Sequence, residues 1–226
     1  MPRSYPVALP RVVVVHSCFA PFRVTRMGVD IILFGERRTP NGTWEVIGDL
    51  VPNVSYDADD PDFVNEPPLI PDDLDIPRCS ALFAILADVN NNRTAEPYEP
   101  ISLPRGLPLD ASPLTLQWYS CWAGGAFGAS WLTIGEIDSY DWMREKQHYG
   151  SVDPRAEFLF RSNPFGFPFA DWPQGVQVSY SEHTSDVGNA RWRSTYAESA
   201  GLQWFRELLK PFELFDDVRL VFWFDH

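Results

Sequence analysis

Two carboxylates, Asp30 and Glu36, lie in the strand-like run Met27-Gly28-Val29-Asp30-Ile31-Ile32-Leu33-Phe34-Gly35-Glu36. Alternation puts Asp30, Ile32, Phe34 and Glu36 on one side and Val29, Ile31, Leu33 and Gly35 on the other. Paired carboxylates can serve as acid and base or hold a divalent cation. The structural alternative leaves one in water at a sheet edge while the other caps a turn. Arg105 sits in the rigid stretch Pro104-Arg105-Gly106-Leu107-Pro108. A guanidinium fixed there can clamp a phosphate or carboxylate through two bonds, or pair with Asp110 or Asp30 and pin the loop.

Further candidates come from the other end of the chain. Val218 to Asp225 is β-rich and apolar enough for a central strand, with Arg219, Val221, Trp223 and Asp225 on one face. Laid beside residues 29–36, it would bring Asp225 to the pocket of Asp30. Ser130-Trp131 precedes a helix start, where backbone N–H groups favour an anion unless Thr133 and Glu136 satisfy them. Trp131, Trp192 and Tyr196 are flat walls for a base or sugar, or else core packing. The expected ligand-binding set is Asp30, Arg105, Ser130, Trp131, Trp192, Tyr196, Trp223 and Asp225, with no cofactor and no metal. The four histidines, His16, His148, His183 and His226, read as exposed residues of loops or termini. No phosphate loop, dinucleotide fingerprint, His-Glu-x-x-His or Gly-x-Ser-x-Gly sequence occurs.

The elements that must position these groups follow from pattern and punctuation. Pro40-Asn41-Gly42 turns the first strand into a return strand at 43–47. Residues 52–77 form a long acidic loop rich in Pro and Asp. It lacks the order of an EF-hand loop and reads as solvated rather than calcium-binding. Ser80 is placed to cap a helix near 81–89, and Ser112-Pro113 opens one over 113–122. Two capping boxes, Thr133-Ile134-Gly135-Glu136 and Thr195-Tyr196-Ala197-Glu198, predict helices over 134–146 and 195–210. Residues 147–190 read as irregular apart from a strand near 176–180.

These elements predict a single α+β domain over 27–226, with a mixed or antiparallel sheet and packed helices. Residues 1–26 read as an N-terminal extension, either an added edge strand or the product of an early start codon. The formal net charge of −13 argues against nucleic acid and anionic membrane surfaces as partners. Three widely spaced cysteines, Cys18, Cys79 and Cys121, favour reduced thiols in a cytoplasmic protein.

The opening MGVDIILFGE, the stretch Arg78 to Val89 and the loop Pro104 to Pro108 recur in one order with Ser130-Trp131-Leu132-Thr133, Thr195-Tyr196-Ala197-Glu198 and the ending Val218 to Asp225. In these the chain resembles a family of small phage and actinobacterial proteins beginning Met-Gly-Cys-Asp-Ile-His. The resemblance implies a lineage, not a reaction. The family has cysteine at Val29, histidine at Ile32, and a His-x-His pair where this chain has Phe127 and Ala129. Such imidazoles could bind a metal or move protons, and here they are missing. The expected function is therefore a phage-type accessory protein in the host cytoplasm. It would be non-catalytic and bind a small polar or phosphorylated ligand or a host protein. The alternatives are a divalent-metal-dependent hydrolase using Asp30, Glu36 and Asp225, and a virion or assembly component.

Overall fold

The first and last strands lie side by side over their whole length. The computed structural model describes residues 28–53, 56–61, 66–71, 76–122 and 124–225. The 1–26 extension, with His16 and Cys18, lies outside them, as do His226 and parts of the acidic loop. In chain order the elements are β1 (Asp30–Arg38), β2 (Trp44–Val46), β3 (Leu50–Pro52), β4 (Leu69–Pro71), α1 (Ser80–Ala87), α2 (Pro113–Trp122) and β5 (Phe127–Thr133). Then come α3 (Ile134–Ser139), β6 (Glu145–Val152), β7 (Tyr180–Glu182), β8 (Ala190–Thr195), α4 (Tyr196–Ala200), α5 (Leu202–Leu209) and β9 (Val218–Asp225). The fold class is α+β.

The main sheet has the order β2-β1-β9-β5, and its described pairings are antiparallel. The Asn41-Gly42 turn closes as expected, with Gly42 N donating to Thr39 O at 2.8 Å. β9 is central, and every residue from Val218 to Phe224 is buried. Its two faces meet different layers. Phe222 and Phe224 pack with Leu33, Leu132 and the Leu82, Ile85 and Leu86 side chains of α1. Trp223 faces the other way, against Phe34 and Tyr119 of α2. Each large side chain so enclosed contributes about 1.5–3 kcal/mol relative to exposure. A separate sheet, ordered β7-β6-β8, rests on a smaller cluster of Val152, Ala156, Phe160, Ala190 and Trp192.

Four expectations need correction. The helix begun at Thr133 stops at Ser139, and β6 starts at Glu145 where a helix was predicted to end. The helix begun at Thr195 is two helices, because Gly201 adopts φ +63° and caps α4. Cys79, not Ser80, occupies the N-cap of α1. The stretch after 146 is irregular only from Asp153 on: β6 occupies its first residues, and the later strand falls at Tyr180–Glu182. Both capping boxes form, with Thr133 Oγ1 accepting from Glu136 N and Thr195 Oγ1 from Glu198 N. Ser112 Oγ accepts from Thr115 N at 3.2 Å, which caps α2 ahead of Pro113. Among the described residues no helix is long and apolar enough to cross a membrane.

Candidate functional site

The strand register sets Asp30 directly opposite Asp225. Asp30 is engaged from the side, since Arg78 Nε and Nη2 donate to its two oxygens at 2.5 Å each. Six residues on, Glu36 faces Arg219, with the carboxylate fully and the guanidinium almost fully buried. Arg219 Nε donates to Glu36 Oε2 at 2.9 Å, and its Nη1 reaches Asp110 Oδ1 at 2.7 Å. The other Glu36 oxygen accepts from Ser112 N at 2.8 Å and Thr115 Oγ1 at 2.7 Å. Trp44 lies over the Arg219 guanidinium at 3.9 Å. Every strong group in this network has partners, so Glu36 ties α2 to the sheet.

Arg105 belongs to the far side of β9. Its backbone N donates to Ser130 Oγ at 3.2 Å, and its guanidinium stacks 4.9 Å from the Trp131 ring. Its ion partner is neither Asp110 nor Asp30 but Glu136, met at 2.5 and 3.2 Å. Trp131 pairs with Val221, four residues from Asp225 along β9. At about 3.3 Å per residue this is roughly 13 Å from the Asp30 end. Ser130 and Trp223 are fully enclosed, and Tyr196 and Trp192 nearly so. The structure therefore brings Asp30 to Asp225, and Arg105 to Ser130 and Trp131. It leaves Trp192 on the second sheet and sets Trp223 and Tyr196 into the core.

The Arg105 partner Glu136 also lines a hollow of about 340 Å³, with Glu99, Ile101, Ser139, Tyr140, Asp141 and Arg144. It lies where α3 ends early, so the truncation of that helix creates its wall. Arg105, together with the Thr133 backbone and hydroxyl, holds the Glu136 carboxyl down at about 2, so it stays ionised. Arg144 is the one cation in the lining, 3.9 Å from Glu99. The Tyr140 hydroxyl donates to the Glu99 carbonyl. A second hollow, about 510 Å³, lies by Asp88, Asn90, Asn91, Asn92 and Pro97.

His148, expected on a loop, is instead buried on the inner face of β6. Its Nδ1 lies 2.8 Å from Glu182 Oε1 and its Nε2 2.7 Å from Ser194 Oγ. Its ring stacks on Trp192 with the planes 7° apart. The alternation Lys146-x-His148-x-Gly150-x-Val152 carried the signal for a strand, but its inward positions are mostly not apolar. His183 is also engaged, its Nε2 lying 2.7 Å from Ser151 Oγ.

Among the described residues no three of His, Cys, Asp and Glu come together as a metal cage. No protein-family model, curated protein or solved structure matches this chain.

Proposed function

We propose that this protein is a binding protein of the phage-accessory type, and that its acidic hollow receives a basic group of a partner molecule. The observation that carries this reading is the lining itself: Glu99, Glu136 and Asp141 stand beside one lining cation, Arg144, and with Glu136 held by Arg105 and Glu99 near Arg144, Asp141 has no described ion pair. A carboxylate-lined wall beside the flat Tyr140 ring suits a guanidinium or ammonium group, which gains both ion pairing and ring stacking. A phosphorylated ligand would meet like charge there, so the cationic ligand replaces the anionic one expected from Arg105. Asp30 and Glu36 are already committed to Arg78 and Arg219, which removes much of the motive for a metal-dependent hydrolase using Asp30, Glu36 and Asp225.

The phage and actinobacterial lineage is part of this proposal. Ile32 pairs with Trp223 and Phe127 with Phe224, so these two positions border the end of the sheet that carries Asp30 and Asp225. They are two of the places where the resembled family has histidine.

Isothermal titration of the protein with agmatine, with an arginine-amide and with nucleoside monophosphates tests the reading. The expected result is heat with the two cations only. That heat should weaken with added salt and fall about tenfold in affinity in a Glu99→Gln/Asp141→Asn variant. Heat with the nucleotides alone, or none with either cation, removes the reading.

A further inference from the structure

The inner face of the second sheet holds four groups in a catalytic order. Glu182 reaches the Nδ1 of His148 at 2.8 Å, and Nε2 of the same ring meets Ser194 Oγ at 2.7 Å. Lys146 pairs directly across the strands from Ser194. The sheet fixes this order through its register. His148 and Trp192 are cross-strand partners, so the indole locks the imidazole plane. Gly150 is opposite Glu182 on the β7 side. A Cβ on Gly150 would lie 2.4 Å from the Ser181 carbonyl, so only glycine lets β7 come close enough for Glu182 to reach the ring.

The protonation pattern is self-consistent. A neutral His148 carrying its proton on Nδ1 donates to Glu182, and its bare Nε2 accepts the Ser194 hydroxyl proton. Ser199 Oγ lies 2.7 Å from Ser194 Oγ, donates to Thr195 O at 3.0 Å and is also engaged by the Tyr98 hydroxyl. The Ser194 oxygen thus has the imidazole on one side and a second hydroxyl on the other. Lys146 adds positive charge to the same face, its Nζ bonded to Thr94 Oγ1 and to the Glu96 carbonyl. This arrangement supplies three parts of an activated serine: a nucleophile–base bond, a base–carboxylate bond and a cation on the same face.

We propose that Ser194, His148 and Glu182 form a nucleophile–base–carboxylate chain that hydrolyses small carboxylic esters. Ser194 Oγ bonds to the ester carbonyl carbon as its proton passes to His148 Nε2. The carbon–alkoxide bond then breaks, and the alkoxide leaves with that proton. Water attacks the acyl-serine, gives a proton to Nε2 and releases the acid, and the proton returns to Ser194 Oγ. Ester and water become acid and alcohol, with no redox partner. Only 7% of Ser194 is exposed, so the acyl part must be short and unbranched. This site is separate from the acidic hollow, and either reading stands without the other.

The test is covalent labelling of the intact protein with a small alkyl fluorophosphonate, read by mass spectrometry, beside hydrolysis of p-nitrophenyl acetate. The expected result is one adduct on Ser194, absent in Ser194→Ala. Labelling should be slowed at least about 100-fold in His148→Gln and by a smaller factor in Glu182→Gln. Glu182 stands at the rim, so that variant keeps the fold if the buried histidine variant does not. Near-UV circular dichroism of Trp192 confirms folding in each case. Folded wild-type protein that takes no adduct, or takes it at Ser199 or another residue, overturns the proposal. So does labelling that proceeds equally in Glu182→Gln.

Discussion

Glu36 and Arg219 meet across the first and last strands, and the protein shuts both charges away from water. The pair joins residues far apart in the chain and recruits Ser112 and Thr115 from α2 to fill the remaining oxygen. Buried ion pairs contribute little when intact but cost much when halved. Glu36→Ala or Arg219→Ala should each lower stability by about 3–5 kcal/mol, measured by urea unfolding. The double variant Glu36→Leu/Arg219→Met should recover most of that loss. A double variant as unstable as the sum of the singles would mean that the two side chains act independently.

The Arg105–Glu136 pair sets an acid-side dependence. The carboxyl sits at about 2 against an ordinary 4.5, so the folded state holds the ionised form more tightly than the unfolded chain does. Its stabilisation is complete above roughly pH 4.5 and is lost as pH falls toward 2. Thermal melts between pH 5 and 2.5 should show a shallower decline in Arg105→Gln than in the wild type. At neutral pH that variant should lose about 1 kcal/mol or less, as half-exposed pairs do.

Lys146 sets the opposite dependence at the alkaline side. Burial lowers its ammonium to about 8 from an ordinary 10.5. The unfolded chain therefore binds the proton more strongly, and folding carries a penalty below about pH 8. Stability from this residue should rise between pH 8 and 10.5, by up to about 3 kcal/mol at 1.36 kcal/mol per unit. Lys146→Met should abolish that rise, and comparing the two proteins across this window isolates the residue from other titrating groups.

Gly150 should tolerate no side chain. Gly150→Ala places a methyl 2.4 Å from the Ser181 carbonyl, where backbone cannot yield cheaply. The expected cost is about 1–3 kcal/mol. Faster amide hydrogen exchange should be confined to β7 and the facing residues of β6, while β1 and β9 keep their protection. Uniform exchange throughout would refute a local role.

The sequence was most legible where burial and punctuation agree. Val218 to Asp225 reads as a central strand because both of its faces are apolar, and it is one. Thr133 and Thr195 announce helix starts because a capping box is a local, reciprocal pair of bonds. Neither box states a length, so neither the end of α3 at Ser139 nor the break at Gly201 is written in it. β6 carries no apolar alternation, because Lys146, His148 and Gly150 fill its inward positions. The partner of Arg105 was hidden for another reason: Glu136 lies 31 residues away, within a helix cap. Rings offered as ligand walls, Trp223 above all, have no feature in the chain that distinguishes them from core.

The long outer strands of both sheets are already covered. Arg105 N and Gly106 N bond to Ser130 and Ala129 along the rim of β5. On β8, Arg193 N donates to the Pro164 carbonyl and its own carbonyl accepts from Gly166 N. The opposite borders, β2 and β7, are only three residues long. A foreign chain approaching β5 or β8 meets backbone already taken at Ala129 and Arg193, whereas β2 covers only Glu36–Arg38 of β1 and β7 only Gly150–Val152 of β6.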